Sequence, residues 1–479
     1  MFNNNLLMGA AAATSGEPLI EISNSALLSG STQSLTDTPA SAGDLRDWTF
    51  SYWIYYNDDT SSKIIFATGS SPYGNFASYA GSFSMQSHNS TGANHNFIIP
   101  DRKFRDSAWY HFVIRCSSTS GDGTAVYDNM NVSIWVNGEP QPVTSVPINT
   151  PTGGPQLFDG GVQTIGNSSS SPNYYIAEMV YLDGQKQTAD AFGQYDSTYK
   201  FWTPKSPDVI KELTFGTNGF YFDNATNPQT DASGNGNNYT NNNSVTTSTH
   251  TPTQLWPIFS SLSAGFSSGV SDGNTGVTYG DAGANYSIIS FPGTGKFVAQ
   301  CTADDVVSNG IGWVALNADG GVSTSNALVL NEARWIGLTG GNWIHSQYVN
   351  FVGGTNLGTV KTSASDGDIL QLEWDNGTLT VQINGTRYTP SNWTAVDTSL
   401  NWAFLSRCAG NGTETWDFGQ DGFTPHDTSY SYVNTTTLAS DITRTKSNLE
   451  EYFDTTLYEG NGAGQRVGKF LPFTNSFTV

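Results

Sequence analysis

The chain has 479 residues, with 19 Lys and Arg against 41 Asp and Glu, a formal net charge of -22 and a pI near 4.4. That acidic balance excludes nucleic acid as the main partner, because phosphate binding draws on clustered Lys and Arg, and it argues equally against anionic membrane surfaces. A hydrophobic content of 37% with 13% aromatics supports packed cores and excludes wholesale disorder, while 13% charged residues leave the polar surface to Ser, Thr, Asn and Gly, a palette for strands and turns rather than long helices.

At the start, MFNNNLLMGAAAATSG carries a small apolar patch from Leu6 to Ala13 without the basic region of a signal peptide. No stretch of the sequence approaches the ~18 apolar residues of a membrane-spanning helix. Period-two alternation then predicts strands at Trp48 to Tyr56, Trp109 to Cys116, Val132 to Gly138 and Tyr174 to Gly184, joined by Asn, Asp, Gly and Ser turns. A short helix is predicted at Thr188 to Tyr195. From Asp223 to Pro252 the composition shifts to Asn, Ser and Thr, which predicts a linker or a long surface excursion. Further strands are predicted in GKFVAQCTA, GIGWVALN, DILQLEWDNGTLTVQING and LNWAFLSR. Asp375-Asn376-Gly377 between alternating runs is the best hairpin signal. A second short helix is predicted near Ser447 to Phe453. Cys116, Cys301 and Cys408 are far apart and have no C-x-x-C spacing; they read as buried small apolar residues rather than a disulfide framework.

The expected architecture is all-β, with two antiparallel concanavalin A-like β-sandwiches between short polar terminal segments. The expected boundaries are 1–40 for an N-terminal segment, 41–222 and 263–426 for the sandwiches, 223–262 for the linker and 427–479 for a C-terminal segment.

Several strings carry resemblances. Trp48-Thr-Phe-Ser-Tyr-Trp53, Trp109-Tyr-His-Phe-Val113, Ile134-Trp-Val-Asn-Gly138 and Ile176-Ala-Glu178 occur in the order used by laminin-G-like, concanavalin A-type sandwiches, and the first region resembles that family. YIAEMVYLDGQ, FGQYD, FGTNGFYFD, DASGNGNNYT and the opening MFNNNLLMGAA resemble marine bacteriophage virion proteins, over residues 1 to about 245. Gly310-Ile-Gly-Trp313, Asp366-Gly-Asp-Ile-Leu370, the Asp375-Asn-Gly377 turn, Asn384-Gly385 and Trp416-Asp-Phe-Gly-Gln420 resemble a SPRY domain. The terminal LYEGNGAGQRVGKFLPF resembles phage tail-fibre sequence. These resemblances imply a non-enzymatic structural or adhesive component of a phage particle, on its exterior surface or tail.

Concanavalin-type folds include glycoside hydrolases, but the E-x-D-x-E and E-x-D-x-x-E spacings are absent. Glu373 and Asp375 share one strand face, a spacing compatible with the roughly 5 to 5.5 Å of a retaining glycosidase. They lie opposite Leu370, Leu372 and Trp374, which predicts a solvated outer face. Asp231, Ser233 and Asn235 offer oxygens at positions 1, 3 and 5 of a calcium-type loop with Gly236 at position 6. The position-12 glutamate is replaced by Asn242, so the alternative is a plain Gly-Asn turn. Calcium is the one cofactor considered. His88 and His95 read as a polar loop pair that could meet a metal, and His111 as a packing residue. No nucleophile elbow or phosphate-binding loop occurs.

Two loop-like stretches rich in aromatics are the candidate ligand sites: Tyr73, Phe76 and Tyr79 in SSPYGNFASYAGS, and Trp335, Trp343 and Tyr348 in WIGLTGGNWIHSQY. Flat rings stack on sugars while Asn and Asp take the hydroxyls. The competing reading makes the same rings plugs of the sandwich ends or of a subunit interface. The expected function is a virion structural protein, a tail fibre or appendage component that displays lectin-like domains to host polysaccharide. The alternatives are a head or tail decoration and, behind both, a depolymerase. The expected partners are other virion proteins, reached through the N-terminal patch, and further copies of the chain in a homo-oligomer. Neither nucleic acid nor membrane is expected as a partner.

Overall fold

The computed structural model describes most of residues 20–434; both ends and short stretches such as 58–62, 70–73, 148–156, 196–201, 260–269 and 316–331 lie outside the described residues. The Leu6 to Ala13 patch and the predicted helix near Ser447 fall outside them. The chain divides into two compact units after Gln254.

In the first unit, one sheet runs through Glu139–Pro140, Met130–Val136, Ala108–Ser117, Trp48–Tyr56, Tyr174–Asp183, Ser25–Leu28 and Thr246–Ser248, each antiparallel to the next. The opposing sheet orders Thr144–Pro147, Asn94–Ile98, Ser82–His88, Gly74–Tyr79, Lys63–Thr68, Gln163–Ile165, Ser34–Asp37 and Thr240–Asn242. Between them, Phe50, Tyr52 and Phe112 meet Phe66, Phe76, Phe83 and Met85 in one aromatic core.

The strand Trp48–Tyr56 is buried along its whole length. Alternate residues Trp48, Phe50, Tyr52, Ile54 and Tyr56 enter the sandwich core. Trp53 and Tyr55, on the other face, lie under a second layer. His111 stacks on Trp53 at 4.7 Å, Trp202 stacks on His111 at 5.9 Å, and His250 meets Tyr55 at 4.6 Å. Apolar residues in both phases of WTFSYWIYY are the sequence counterpart of this double burial.

The expected helix at Thr188 to Tyr195 is a 3-10 turn, Ala189–Ala191, followed by the strand Gly193–Tyr195. Gly193 leaves no side chain to clash with the Trp202 ring, which a Cβ there would meet at 2.5 Å. An α-helix that alternation did not signal, Pro207–Lys211, starts from Ser206, whose hydroxyl accepts from Val209 N at the N-cap with Pro207 behind it.

The expected linker is corrected. Up to Gln254 it belongs to the first unit, and its strands Thr240–Asn242 and Thr246–Ser248 close the edges of both sheets. Tyr239 and Val245 are buried in the core, and Asn241 bonds Val245 at both its amide nitrogen and its oxygen, at 2.8 Å each. Side-chain amides thus do the work expected of apolar bulk: they satisfy the turn's backbone groups while two apolar anchors hold it.

In the second unit, one sheet orders Val270–Ser271, Gly276–Tyr279, Gly412–Asp417, Lys296–Asp305, Asp368–Asp375, Thr378–Ile383 and Thr386–Tyr388. The other orders Gly283–Tyr286, Asn401–Cys408, Asn309–Ala315, Glu332–Thr339, Asn342–Val349 and Val352–Lys361. Phe291, Trp374, Trp402, Phe404, Trp416 and Phe418 pack between them. The hairpin at Asn376-Gly377 forms as expected, with φ of 47° and 87° at the two turn residues, the pair of left-handed conformations that an Asn-Gly turn accommodates. The expected C-terminal segment begins inside this unit, where Ser431–Tyr432 pairs in parallel with Lys296–Asp305. All three cysteines are buried, and none is in a disulfide.

Candidate functional site

Three of the six candidate sugar-stacking rings are core residues. Phe76 is fully buried against Phe50 at 4.9 Å and Phe66 at 5.6 Å, because the strand Gly74–Tyr79 turns that phase inward. Trp335 packs among Val314, Ala333, Ala403 and Leu405, with the Arg407 guanidinium 4.5 Å from its ring centre. Trp343 is fully buried, and its Nε1 donates to Asp368 Oδ2 at 2.6 Å. That carboxylate also accepts from Lys361 Nζ at 2.9 Å, Asn384 Nδ2 at 2.6 Å and Ser365 N at 3.1 Å. Burial disfavours its ionisation, but these donors outweigh the burial and hold the Asp368 carboxyl below the usual range. Tyr73 lies outside the described residues. Tyr79 and Tyr348 sit on strands, not loops; their side chains lie outside the description.

At the calcium-type loop, the Asp231 carboxylate is occupied by donors. Oδ1 accepts from Tyr221 N and Ser233 N at 2.9 Å each, while Oδ2 accepts from Ser233 Oγ at 2.8 Å and Asn237 N at 2.9 Å. Asn235 turns its Nδ2 to the carbonyls of Gly216 at 2.7 Å and Gly219 at 2.9 Å. The loop therefore stitches DASGNGN onto FGTNGF with hydrogen bonds. Four N–H and O–H groups aimed at a carboxylate leave it no open lone pair for a cation. The melting temperature is expected to be the same in excess calcium and in chelator; a rise of several degrees with calcium in differential scanning calorimetry would contradict the hydrogen-bonded reading.

Among the histidines, His88 and His95 fall on adjacent strands, with His95 opposite Ser87 and His88 opposite Asn94. The side chains of both histidines lie outside the described residues. No group of three His, Cys, Asp or Glu side chains converges among the described residues.

His111 forms a pair with Ser51 that resembles a hydrolytic dyad, Ser51 Oγ lying 2.9 Å from Nε2. The third partner reverses the chemistry. Trp202 Nε1 donates to His111 Nδ1 at 2.9 Å, and a tryptophan N–H is a donor only. The Nδ1 lone pair is thus used, Nε2 carries the hydrogen, and the ring donates to Ser51 instead of taking its proton. Burial between Trp53 and Trp202 pushes the His111 imidazole down to about 3, so it stays neutral as a packing residue.

Two buried glutamates stand out, one in each unit. Glu178 lies at a bulge in Tyr174–Asp183 with φ 50°; it accepts from the Tyr221 hydroxyl through one oxygen, while the other is buried without a partner among the described residues. Glu414 points into the second core, where Oε2 accepts from Ser406 Oγ at 2.6 Å and Trp416 Nε1 at 3.0 Å; Oε1 has no partner among the described residues. Burial pushes each carboxyl up to about 8, against the smaller opposing pull of those donors. Both were readable as lone acids in core phase: Glu178 within the apolar run YYIAEMVYL, and Glu414 two residues before Trp416.

The expected solvated pair at Glu373 and Asp375 is corrected in part. Glu373 is buried and ion-paired with Arg387 Nη2 at 2.9 Å, and also accepts from Gln382 Nε2 at 2.7 Å. The segment 424–434 covers this face: Gln371 Nε2 donates to Thr424 O at 3.0 Å, and Lys296 lies 5.5 Å from the Tyr430 ring centre. Asp375 pairs with Lys296 at 3.0 Å. Glu373 is thus buried beneath this segment and bound by a cation, whereas Asp375, paired with Lys296, keeps about a third of its side chain exposed (34%), as expected of the solvated face.

Residues 29–179 match the family model described as the concanavalin A-like lectin/glucanases superfamily, Laminin_G_3. Among solved structures, the chain is similar to domains LG4-5 of the mouse laminin alpha1 chain (10% identity, 83% of this chain and 88% of that one, TM-score 0.30). It is also similar to the TRIM65 PSpry domain (11% identity, 34% and 89% covered, TM-score 0.27) and to a heptameric SAP-like pentraxin from Limulus polyphemus (13% identity, 35% and 80% covered, TM-score 0.25). A search of the curated proteins finds no match. The chain is a nearly all-β protein whose first unit carries a laminin-G-like, concanavalin A-like domain.

Proposed function

We propose that this chain is a non-enzymatic protein of the exterior of a bacteriophage particle, an appendage or fibre component that presents lectin-like sandwiches to host-surface polysaccharide. The phage assignment is supported by the strings YIAEMVYLDGQ, FGTNGFYFD and DASGNGNNYT and their resemblance to virion proteins. The observation that carries the non-enzymatic reading is the commitment of each candidate catalytic group: Glu373 to Arg387, Asp375 to Lys296, and His111 to Trp202 with the wrong nitrogen protonated for a general base.

Glycan recognition in this reading falls to the candidate rings whose side chains lie outside the described residues, Tyr73, Tyr79 and Tyr348, of which Tyr73 is tested first. The test is binding of the purified full chain to host cells and to their extracted polysaccharide, with release of reducing ends measured on the same samples. The expected result is saturable binding, no new reducing ends, and about tenfold weaker binding for Tyr73→Ala with an unchanged melt, the loss of one stacking contact worth roughly 1.4 kcal/mol. Reducing ends released in proportion to protein would replace this reading with a depolymerase. Stable particle attachment without any cell binding would favour a decoration protein.

A further inference from the structure

The second unit contains a gripped strap. Directly paired residues of antiparallel strands share a face, so Phe404, Trp313, Arg334 and Gln347 form one cross-strand row, with His345 beside it. At its Phe404 end the row packs into the core against Phe291 and Trp416. At its other end the same face is polar, and residues 391–394, from the connection between Thr386–Tyr388 and Asn401–Cys408, lie across it.

The grip is made mostly on main chain. His345 Nε2 lies 2.6 Å from the Ser391 carbonyl, Arg334 Nη2 donates to the Thr394 carbonyl at 3.0 Å, and Thr394 N donates to Gln347 Oε1 at 2.8 Å. Gln347 Nε2 also donates to Thr394 Oγ1 at 3.1 Å. One strap side chain is anchored: Trp393 stands edge-on to Trp313 and His345, at 6.0 and 5.5 Å, and donates from Nε1 to Ser346 O at 3.3 Å. The floor is buried, with Arg334 and Trp313 at 0% exposure and His345 at 4%, whereas Ser391, Asn392 and Thr394 are exposed. The indole N–H of Trp313 is buried without a partner among the described residues.

A buried floor that reads two carbonyls and an amide of an extended segment, and anchors one aromatic side chain, has the chemistry of an extended-peptide site. Within the strap, Ser391, Asn392 and Thr394 are exposed and Trp393 is half-buried, so its opening is expected to cost less than opening the buried strands beneath it. We propose that this floor is a docking groove for an extended peptide bearing one tryptophan, and that residues 391–394 are its resident occupant, displaced when such a peptide binds. The inference is independent of the glycan reading and survives its failure.

The test uses the full chain with Asn392→Gly, Trp393→Ser and Thr394→Gly together, and a synthetic peptide of residues 389–398 added in trans. The strap variant is expected to stay folded by circular dichroism and to bind the peptide saturably in titration calorimetry. It should not bind the same peptide with its tryptophan replaced by alanine, and adding Gln347→Ala should abolish binding. The unaltered chain, its groove already filled, is expected to bind the peptide ~10-fold more weakly. A folded strap variant without saturable binding overturns the proposal. If the triple variant does not fold, hydrogen exchange on the unaltered chain decides: the Thr394 amide is expected to exchange faster than the ladder amides of Asn342–Val349. Equal protection at the two places would make the strap an integral part of the fold and overturn the proposal.

Discussion

Replacing Glu414 by glutamine is expected to flatten the pH dependence of the second unit's stability and to make that unit more stable at pH 8.5, with little change at pH 5. The folded carboxyl is held protonated up to about 8 by burial, against an ordinary value of 4.5. Between these values the folded unit holds a proton that the unfolded chain has released, so stability falls as pH rises through the window, at up to about 1.4 kcal/mol per pH unit. The fall is complete once pH passes the folded value, for a total of about 5 kcal/mol. Glutamine is uncharged throughout, and its oxygen keeps the bonds from Ser406 and Trp416. Urea unfolding followed by tryptophan fluorescence at pH 5, 7 and 8.5 measures the effect. Glu178→Gln is expected to do the same in the first unit, where burial raises the carboxyl to about 8 at the Ala177–Val180 bulge. Parallel pH profiles for variant and parent would show that the buried acids ionise without cost.

The second large effect is at Trp343. Alanine there removes a fully buried indole and one of the donors on Asp368, leaving the Lys361–Asp368 pair beside a cavity. Large-to-small changes of this kind cost about 3–5 kcal/mol. For a unit of this size that is a fall of roughly 10 °C in its melting temperature, seen as an early transition in calorimetry while the first unit's transition stays in place. An unchanged melt with lost adhesion would restore Trp343 to the ligand site from which its burial removes it.

Trp343 also shows where the sequence misled. WIGLTGGNWIHSQY has the Gly-rich look of a loop, yet it lies in two long paired strands, Glu332–Thr339 and Asn342–Val349, and an indole in the inward phase has nowhere to go but the core. The same holds for Phe76. Strands with strict alternation, and the Asn376-Gly377 hairpin, were legible because their period and turn chemistry are local properties. The fate of 223–254 was not, because Asn side chains that bond neighbouring backbone look the same in a linker as in a stitched edge until the partner strands are known. The Glu373 face failed for a related reason: alternation places it opposite the core correctly, but says nothing of the distant segment at 424–434 that covers it. The His111–Ser51 pair is legible only in three dimensions, since Trp202, which fixes the tautomer, lies 91 residues away.

The measurement that bears most directly on the virion assignment is immunogold labelling of purified particles with antibody raised against this chain. Gold on tail tips, fibres or another exterior appendage is the predicted result. Particles that remain unlabelled, with the epitope shown to be accessible, would contradict it.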